Sequence, residues 1–164
     1  MQITHINSLI ELIKNECTAN FFSETIMAQF PGLNLETSGS EGWNCLHIAC
    51  QYENHELVKY LIEKKRMNPN AMSKDKWTPL TIAAQIGSYL LIEALISDSR
   101  TQINQISCME RGTALHVAAN AENYQAVQIL LMHNAQIGIK KSDGKTAFEV
   151  CNDPKLKHLM EKYL

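Results

Sequence analysis

The chain has 164 residues, 45% of them apolar, and a formal charge of -2. That is ample for one hydrophobic core, short for two unrelated domains, and gives no general attraction to nucleic acid. No basic, apolar leader precedes residue 20, and the greasiest stretch, Leu80 to Ile96, is interrupted by Gln85, Gly87, Ser88 and Glu93, so neither secretion nor membrane insertion is expected. The expectation is a soluble, intracellular, cytoplasmic protein.

Along the chain, Ile6, Leu9, Ile10 and Ile13 recur at helical spacing, and Phe21, Phe22, Ile26, Met27 and Phe30 form a second apolar stripe that stops at Pro31-Gly32. Two helices are predicted over residues 1–31. A terminal unit with one neighbour must cover an apolar flank and turn polar groups outward, so this segment reads as a degenerate N-terminal cap.

From residue 32 onward the sequence repeats. Gly42-Trp43-Asn44-Cys45-Leu46-His47-Ile48-Ala49-Cys50 returns as Lys76-Trp77-Thr78-Pro79-Leu80-Thr81-Ile82-Ala83-Ala84 and as Arg111-Gly112-Thr113-Ala114-Leu115-His116-Val117-Ala118-Ala119. Gly144-Lys145-Thr146-Ala147-Phe148-Glu149 opens a fourth unit. The anchors Leu46, Leu80, Leu115 and Phe148 lie 34, 35 and 33 residues apart. A period of this length belongs to a stacked array.

Eleven residues beyond each anchor comes an apolar pair, and four residues later another: Leu57-Val58 with Leu61-Ile62, Leu91-Ile92 with Leu95-Ile96, Ala126-Val127 with Leu130-Leu131, and Leu159-Met160 with Tyr163-Leu164. Such spacing makes one broad helical stripe. Each unit is therefore predicted as a short helix, a turn and a longer helix, over residues 32–65, 66–99, 100–133 and 134–164. In the last unit Asn152-Asp153-Pro154 starts a helix with a polar outer face (Lys155, Lys157, His158, Glu161, Lys162), while Leu156, Leu159, Met160 and Tyr163 are expected inward, as a C-terminal cap.

These motifs closely resemble the ankyrin repeat, whose signature carries Thr-Pro-Leu-His followed by an apolar residue and two alanines. The resemblance implies an all-α solenoid of helix-turn-helix units joined by hairpin-like fingers. It also implies that His47 and His116 brace their short helices, with weaker bracing where Thr81 and Glu149 stand instead. The glycine of the turn between helices survives only as Gly87. Glu53-Asn54 and Glu122-Asn123 take its place, with asparagine expected to accept the left-handed conformation. The 35-residue spacing places one extra residue in the third finger, and lowest stability is expected there and around Thr81.

The sequence offers little for catalysis. Cys45 and His47 stand at packing and bracing positions rather than beside an orienting carboxylate. Cys45, His47 and Cys50 are not joined by a second pair of ligands that would make a zinc site. Ser142-Asp143-Gly144-Lys145-Thr146 lacks the earlier glycine of a phosphate-binding loop. The five cysteines, Cys17, Cys45, Cys50, Cys108 and Cys151, are an odd set with no close pairing and read as reduced core thiols. A non-catalytic chain without cofactor or metal is expected.

The resemblance instead implies partner binding along the fingertips and short helices, a concave strip in that fold. Matching positions are Ser40, Glu41, Trp43, Gln51 and Tyr52 in the first unit, Lys74, Asp75, Trp77, Gln85 and Ile86 in the second, Met109, Glu110, Gly112, Asn120 and Ala121 in the third, and Ser142, Asp143 and Lys145 in the fourth. Trp43, Tyr52, Trp77 and Ile86 are the expected apolar anchors, with structural cover as the competing role of the tryptophans. The expected function is a monomeric protein-binding module. The alternative is the targeting region of a larger protein, such as an enzyme or an oxysterol-binding-type lipid-transfer protein, whose ankyrin segments this one resembles.

Overall fold

The computed structural model of the protein describes residues 41–107 and 111–164, together with positions 13, 35 and 36. The capping helices expected over 1–31 lie outside the described residues, except that Ile13 is helical and fully buried.

Eight helices are described: α1 (Cys45–Gln51), α2 (His55–Glu63), α3 (Pro79–Ile86), α4 (Tyr89–Ile96), α5 (Ala114–Asn120), α6 (Tyr124–Met132), α7 (Ala147–Val150) and α8 (Pro154–Glu161). They stack in two layers. In the inner layer α1 packs on α3, α3 on α5 and α5 on α7; in the outer layer α2 packs on α4, α4 on α6 and α6 on α8. The expected all-α array of helix pairs is present, and the described residues contain isolated β-bridges but no strand.

Each inner helix starts for a local reason. The residue before it and the residue three places on exchange hydrogen bonds, which satisfies donors that the first turn leaves open. Thr78 N donates to Thr81 Oγ1 at 2.8 Å while Thr81 N donates to Thr78 Oγ1 at 3.2 Å. Asn44 and His47, and Thr146 and Glu149, make the same reciprocal pairs. Pro79 occupies the first turn of α3, where its missing N–H costs nothing. The outer helices α2 and α8 are capped by Asn54 and Asp153.

The core lies between the layers. Leu46, Leu80 and Leu115 are buried in it, and Ala49, Ala83, Ala84, Ala118 and Ala119 keep the inner helices close together. Leu57, Val58, Leu61, Leu91, Ile92, Leu95, Ala126, Val127 and Leu130 supply the outer stripe, as their spacing predicts. Three expectations need correction. In the second unit both helices have eight residues, so the longer second helix is not general. Helix α8 ends at Glu161, so Tyr163 and Leu164 lie beyond its stripe and are 46% and 78% exposed rather than inward.

The third correction concerns the turns between helices. Glu53 and Glu122 take the left-handed conformation, at φ 53° and 56°, alongside Gly87 at 84°. Asn54 and Asn123 stand next to them in the ordinary region, at φ -81° and -82°, where they begin the outer helices. Asn54 is used as a helix cap, its Oδ1 accepting from Leu57 N at 3.0 Å, whereas the Asn123 side chain makes no such cap bond. Asn123 Nδ2 instead donates to the carbonyls of Ala84 and Gln85, at 3.0 and 2.9 Å, tying this turn to the end of α3. Its side chain comes so near Gly87 that a Cβ there would meet Asn123 Cγ at 2.7 Å.

Candidate interaction surface

Fingers rise between the units, and in each of the second to fourth a backbone hydrogen bond closes the base of the tip. Ser73 N donates to Trp77 O at 2.9 Å, Ser107 N to Gly112 O at 2.8 Å and Lys141 N to Lys145 O at 2.9 Å. The second and fourth fingers thus enclose three residues, and the third encloses four. The extra residue of the 35-residue spacing is in the tip of the third finger, the loop position the spacing predicts.

The bases of the fingers are joined by a row of side chains spaced 34 residues apart. Glu36 Oε1 accepts from Asn68 N at 3.1 Å, Asn70 Oδ1 from Gln102 N at 2.7 Å, and Asn104 Oδ1 from Gln136 N at 2.8 Å. Asn70 Nδ2 further donates to Arg100 O at 2.7 Å, and Asn104 Nδ2 to Asn134 O at 3.4 Å. At the tips, Lys74 N donates to Glu41 O at 3.1 Å and links the first two fingers.

Histidines fasten the inner helices to the fingers. Asn44 N donates to His47 Nδ1, which leaves Nε2 to carry the proton toward the carbonyls of Ala71 and Trp77, each at 3.1 Å. Thr113 N and His116 Nδ1 repeat this, with His116 Nε2 3.3 Å from Lys145 O. Burial pushes both imidazoles below their ordinary pKa, against the opposing pull of those carbonyls. Thr81 and Glu149 bond within their own first turns to Thr78 and Thr146.

The expected binding residues fall into four groups. Glu41, Lys74, Asp75, Gln51, Gln85, Tyr52, Asn120, Ser142, Asp143 and Lys145 are exposed. Trp43, Trp77 and Ile86 are half-buried and pack against the core, and Ala121 is half-buried too. Ser40, Met109 and Glu110 lie outside the described residues. The tryptophans are connected through His47: the Trp43 ring centre is 6.0 Å from the imidazole, whose Nε2 faces Trp77 O. Gly112 is buried and belongs to the finger closure, so it leaves the strip.

Met72 and Ile106, 40% and 46% exposed, were not singled out from sequence, yet they occupy corresponding places 34 residues apart on the second and third fingers. Their shared spacing was the available signal. Lys76 and Arg111 were also missed, although each stands four residues before its anchor leucine, where the first and fourth units have Gly42 and Gly144.

The described residues hold no group of three or more His, Cys, Asp or Glu side chains placed to bind a metal. Cys45, Cys50 and Cys151 are buried free thiols. Burial pushes the Cys45 pKa up to about 12 and raises those of Cys50 and Cys151, which suits packing and opposes nucleophilic use. Cys17 and Cys108 lie outside the described residues. No helix among those described is long and apolar enough to cross a membrane.

A family model described as ankyrin repeats in three copies matches residues 5–107, and another, described as ankyrin repeats in many copies, matches 103–151. No curated protein matches the chain.

Proposed function

This chain belongs to the ankyrin-repeat family, and from that premise we propose that it is a non-catalytic module that holds a partner protein along its fingers and inner helices, the concave face of the array. The observation carrying this reading is the strip itself. Tyr52 and Met72 are exposed, Trp43, Trp77 and Ile86 are half-buried, and the linked tips of the first two fingers carry the exposed charges of Glu41, Lys74 and Asp75. Apolar centres with charged surroundings are the usual composition of a specific protein interface. Within this reading Trp43, Tyr52, Trp77 and Ile86 are anchors, and Glu41, Gln51, Lys74, Asp75, Gln85, Met109 and Glu110 set specificity.

The test is affinity capture from source cells, followed by calorimetric titration of whatever is captured. Tyr52→Ala/Asp75→Ala alters only exposed side chains and should abolish capture. Leu90→Ser, on the outer layer, should leave it intact. The reverse pattern would move the partner to the outer helices and overturn the proposal. Trp43→Ala and Trp77→Ala are informative only with unfolding midpoints beside them, because both rings also cover core atoms.

A further inference from the structure

The first position of each repeated motif, four residues before the anchor, is left-handed in every unit. Gly42 has φ 75°, Lys76 63°, Arg111 56° and Gly144 83°. Glycine adopts this conformation without steric cost, and a side chain does so only against a penalty. At Gly42 the reason for glycine is plain, since a Cβ would meet Lys74 N at 2.8 Å; at Gly144 no atom lies within 4 Å of the same position. The middle units instead carry a long cation here, and both Lys76 and Arg111 are exposed. Of the six described non-glycine residues in this conformation, these two place an exposed cation at the same point of successive fingers.

We propose that Lys76 and Arg111, on the tips of successive fingers, form a two-point cationic clamp for an extended acidic segment of the partner protein. This rests on the partner-binding reading above and specifies the chemistry of what is bound. Packed helical layers repeat every 8–10 Å or so, and a segment in the extended polyproline II conformation advances about 3.1 Å per residue with three residues per turn, so every third side chain returns to the same face. Acidic side chains three residues apart along the segment therefore match the two cations. Exposed Lys74 and Lys145 extend the positive character to either side.

The acidic groups of the fingers explain why the occupant is a segment with separate charges. Asp75 stands between Lys74 and Lys76, Glu110 precedes Arg111, and Asp143 is held by Lys141 Nζ at 3.2 Å. A continuous polyanion such as nucleic acid or an anionic bilayer places charge against these carboxylates, whereas a segment with acidic residues three apart can present neutral ones to them. Half-buried Trp77, next to Lys76, supplies an apolar contact for an intervening residue.

The test uses the full chain and fluorescence anisotropy. The probes are a labelled peptide of about 15 residues with glutamate at every third position among serine and valine, a second of the same composition with contiguous glutamates, a single-stranded oligonucleotide and phosphatidylserine vesicles. The spaced peptide should bind about tenfold more tightly than the contiguous one, and Lys76→Gly/Arg111→Gly should weaken it by about tenfold or more. Glycine relieves the left-handed backbone, so this variant should keep its fold, which circular dichroism checks. Absent binding, equal binding by wild type and variant, or preference for the oligonucleotide or vesicles would each overturn the clamp. Failure of the clamp while Tyr52→Ala/Asp75→Ala still abolishes capture of the natural partner would leave the binding strip standing without it.

Discussion

Asn104 reproduces Asn70 bond for bond: each side-chain oxygen accepts the backbone N–H 32 residues ahead, and each side-chain nitrogen donates to the carbonyl 30 residues ahead. A side chain that serves two main-chain groups of the next finger base couples neighbouring units directly. Asn70→Ala leaves Gln102 N and Arg100 O without those partners and should lower stability by about 1–3 kcal/mol in urea denaturation. Asn104→Ala should cost less, because its second bond is longer at 3.4 Å. Equal stability of both variants and wild type would show the row to be incidental.

Opposite signs are expected at two kinds of left-handed position. Lys76→Gly and Arg111→Gly should each raise stability by about 1 kcal/mol, the order of the penalty a side chain bears in this conformation. Gly87→Ala should lower it, because Gly87 is left-handed and the added methyl meets the Asn123 side chain. Urea midpoints measured at constant slope decide the signs.

Acidification should weaken the fold before its carboxylates titrate. In the unfolded chain His47 and His116 take up a proton near the ordinary value of 6.5, and burial makes the folded rings do so only at lower pH. Between those two values the unfolded state binds more protons, so stability falls as pH drops through 6.5 toward the lowered folded pKa. His116→Gln should flatten the fall in urea midpoint between pH 7 and pH 5. Glu149, Asp98 and Asp143 have depressed pKa values, through bonds from Thr146, Arg100 and Lys145 respectively, and act in the same sense below the usual carboxylate range.

Hydrogen exchange should rank the units. His47 and His116 reach carbonyls of the following finger, whereas Thr81 bonds to Thr78 in its own turn. The third finger also encloses an additional residue, and Ser107 Oγ is buried there without a partner among the described residues. Amides of the third finger and of α3 should exchange faster than those of α5. Uniform protection across α3 and α5 would remove the histidines from the account of stability.

The thiols should report unfolding. With their pKa values raised by burial, Cys45 and Cys50 carry almost no thiolate at neutral pH. Labelling of both should be slow in buffer and immediate in denaturant. Fast labelling of Cys45 in the native protein would mean that α1 opens locally.

Much of this architecture was legible because it is written in residue types at fixed spacing. Leu46, Leu80 and Leu115, the alanines after them and the paired apolar residues of the outer helices all lie where the period puts them. Asn54 and Asn123 misled because asparagine suits a left-handed turn, a helix cap and a tie to neighbouring carbonyls alike, and spacing alone does not say which demand wins. Tyr163 and Leu164 continue an apolar pattern past the last turn of α8, where no helix remains to direct them. The row of Glu36, Asn70 and Asn104 was hidden for a different reason, since its partners are main-chain groups that every residue possesses. Trp43 and Trp77 were found by their repetition, but His47 between them shows that each has a structural duty as well as an exposed edge.

That row has a direction. In each of its bonds to a backbone N–H the earlier unit supplies a particular side chain and the later one main chain, so Asn68, Gln102 and Gln136 donate irrespective of what side chains they bear, although at the middle joint Gln105 Nε2 and Arg100 Nη1 also reach back to the carbonyls of Asn70 and Arg66, at 3.4 and 3.2 Å. Within this row the bond is one-sided: a change of side chain on the receiving side leaves it in place, whereas a change at the giving position removes it. Gly138, the next place in the 34-residue series, has no side chain to give, so any unit joined after it must be recognised by another means.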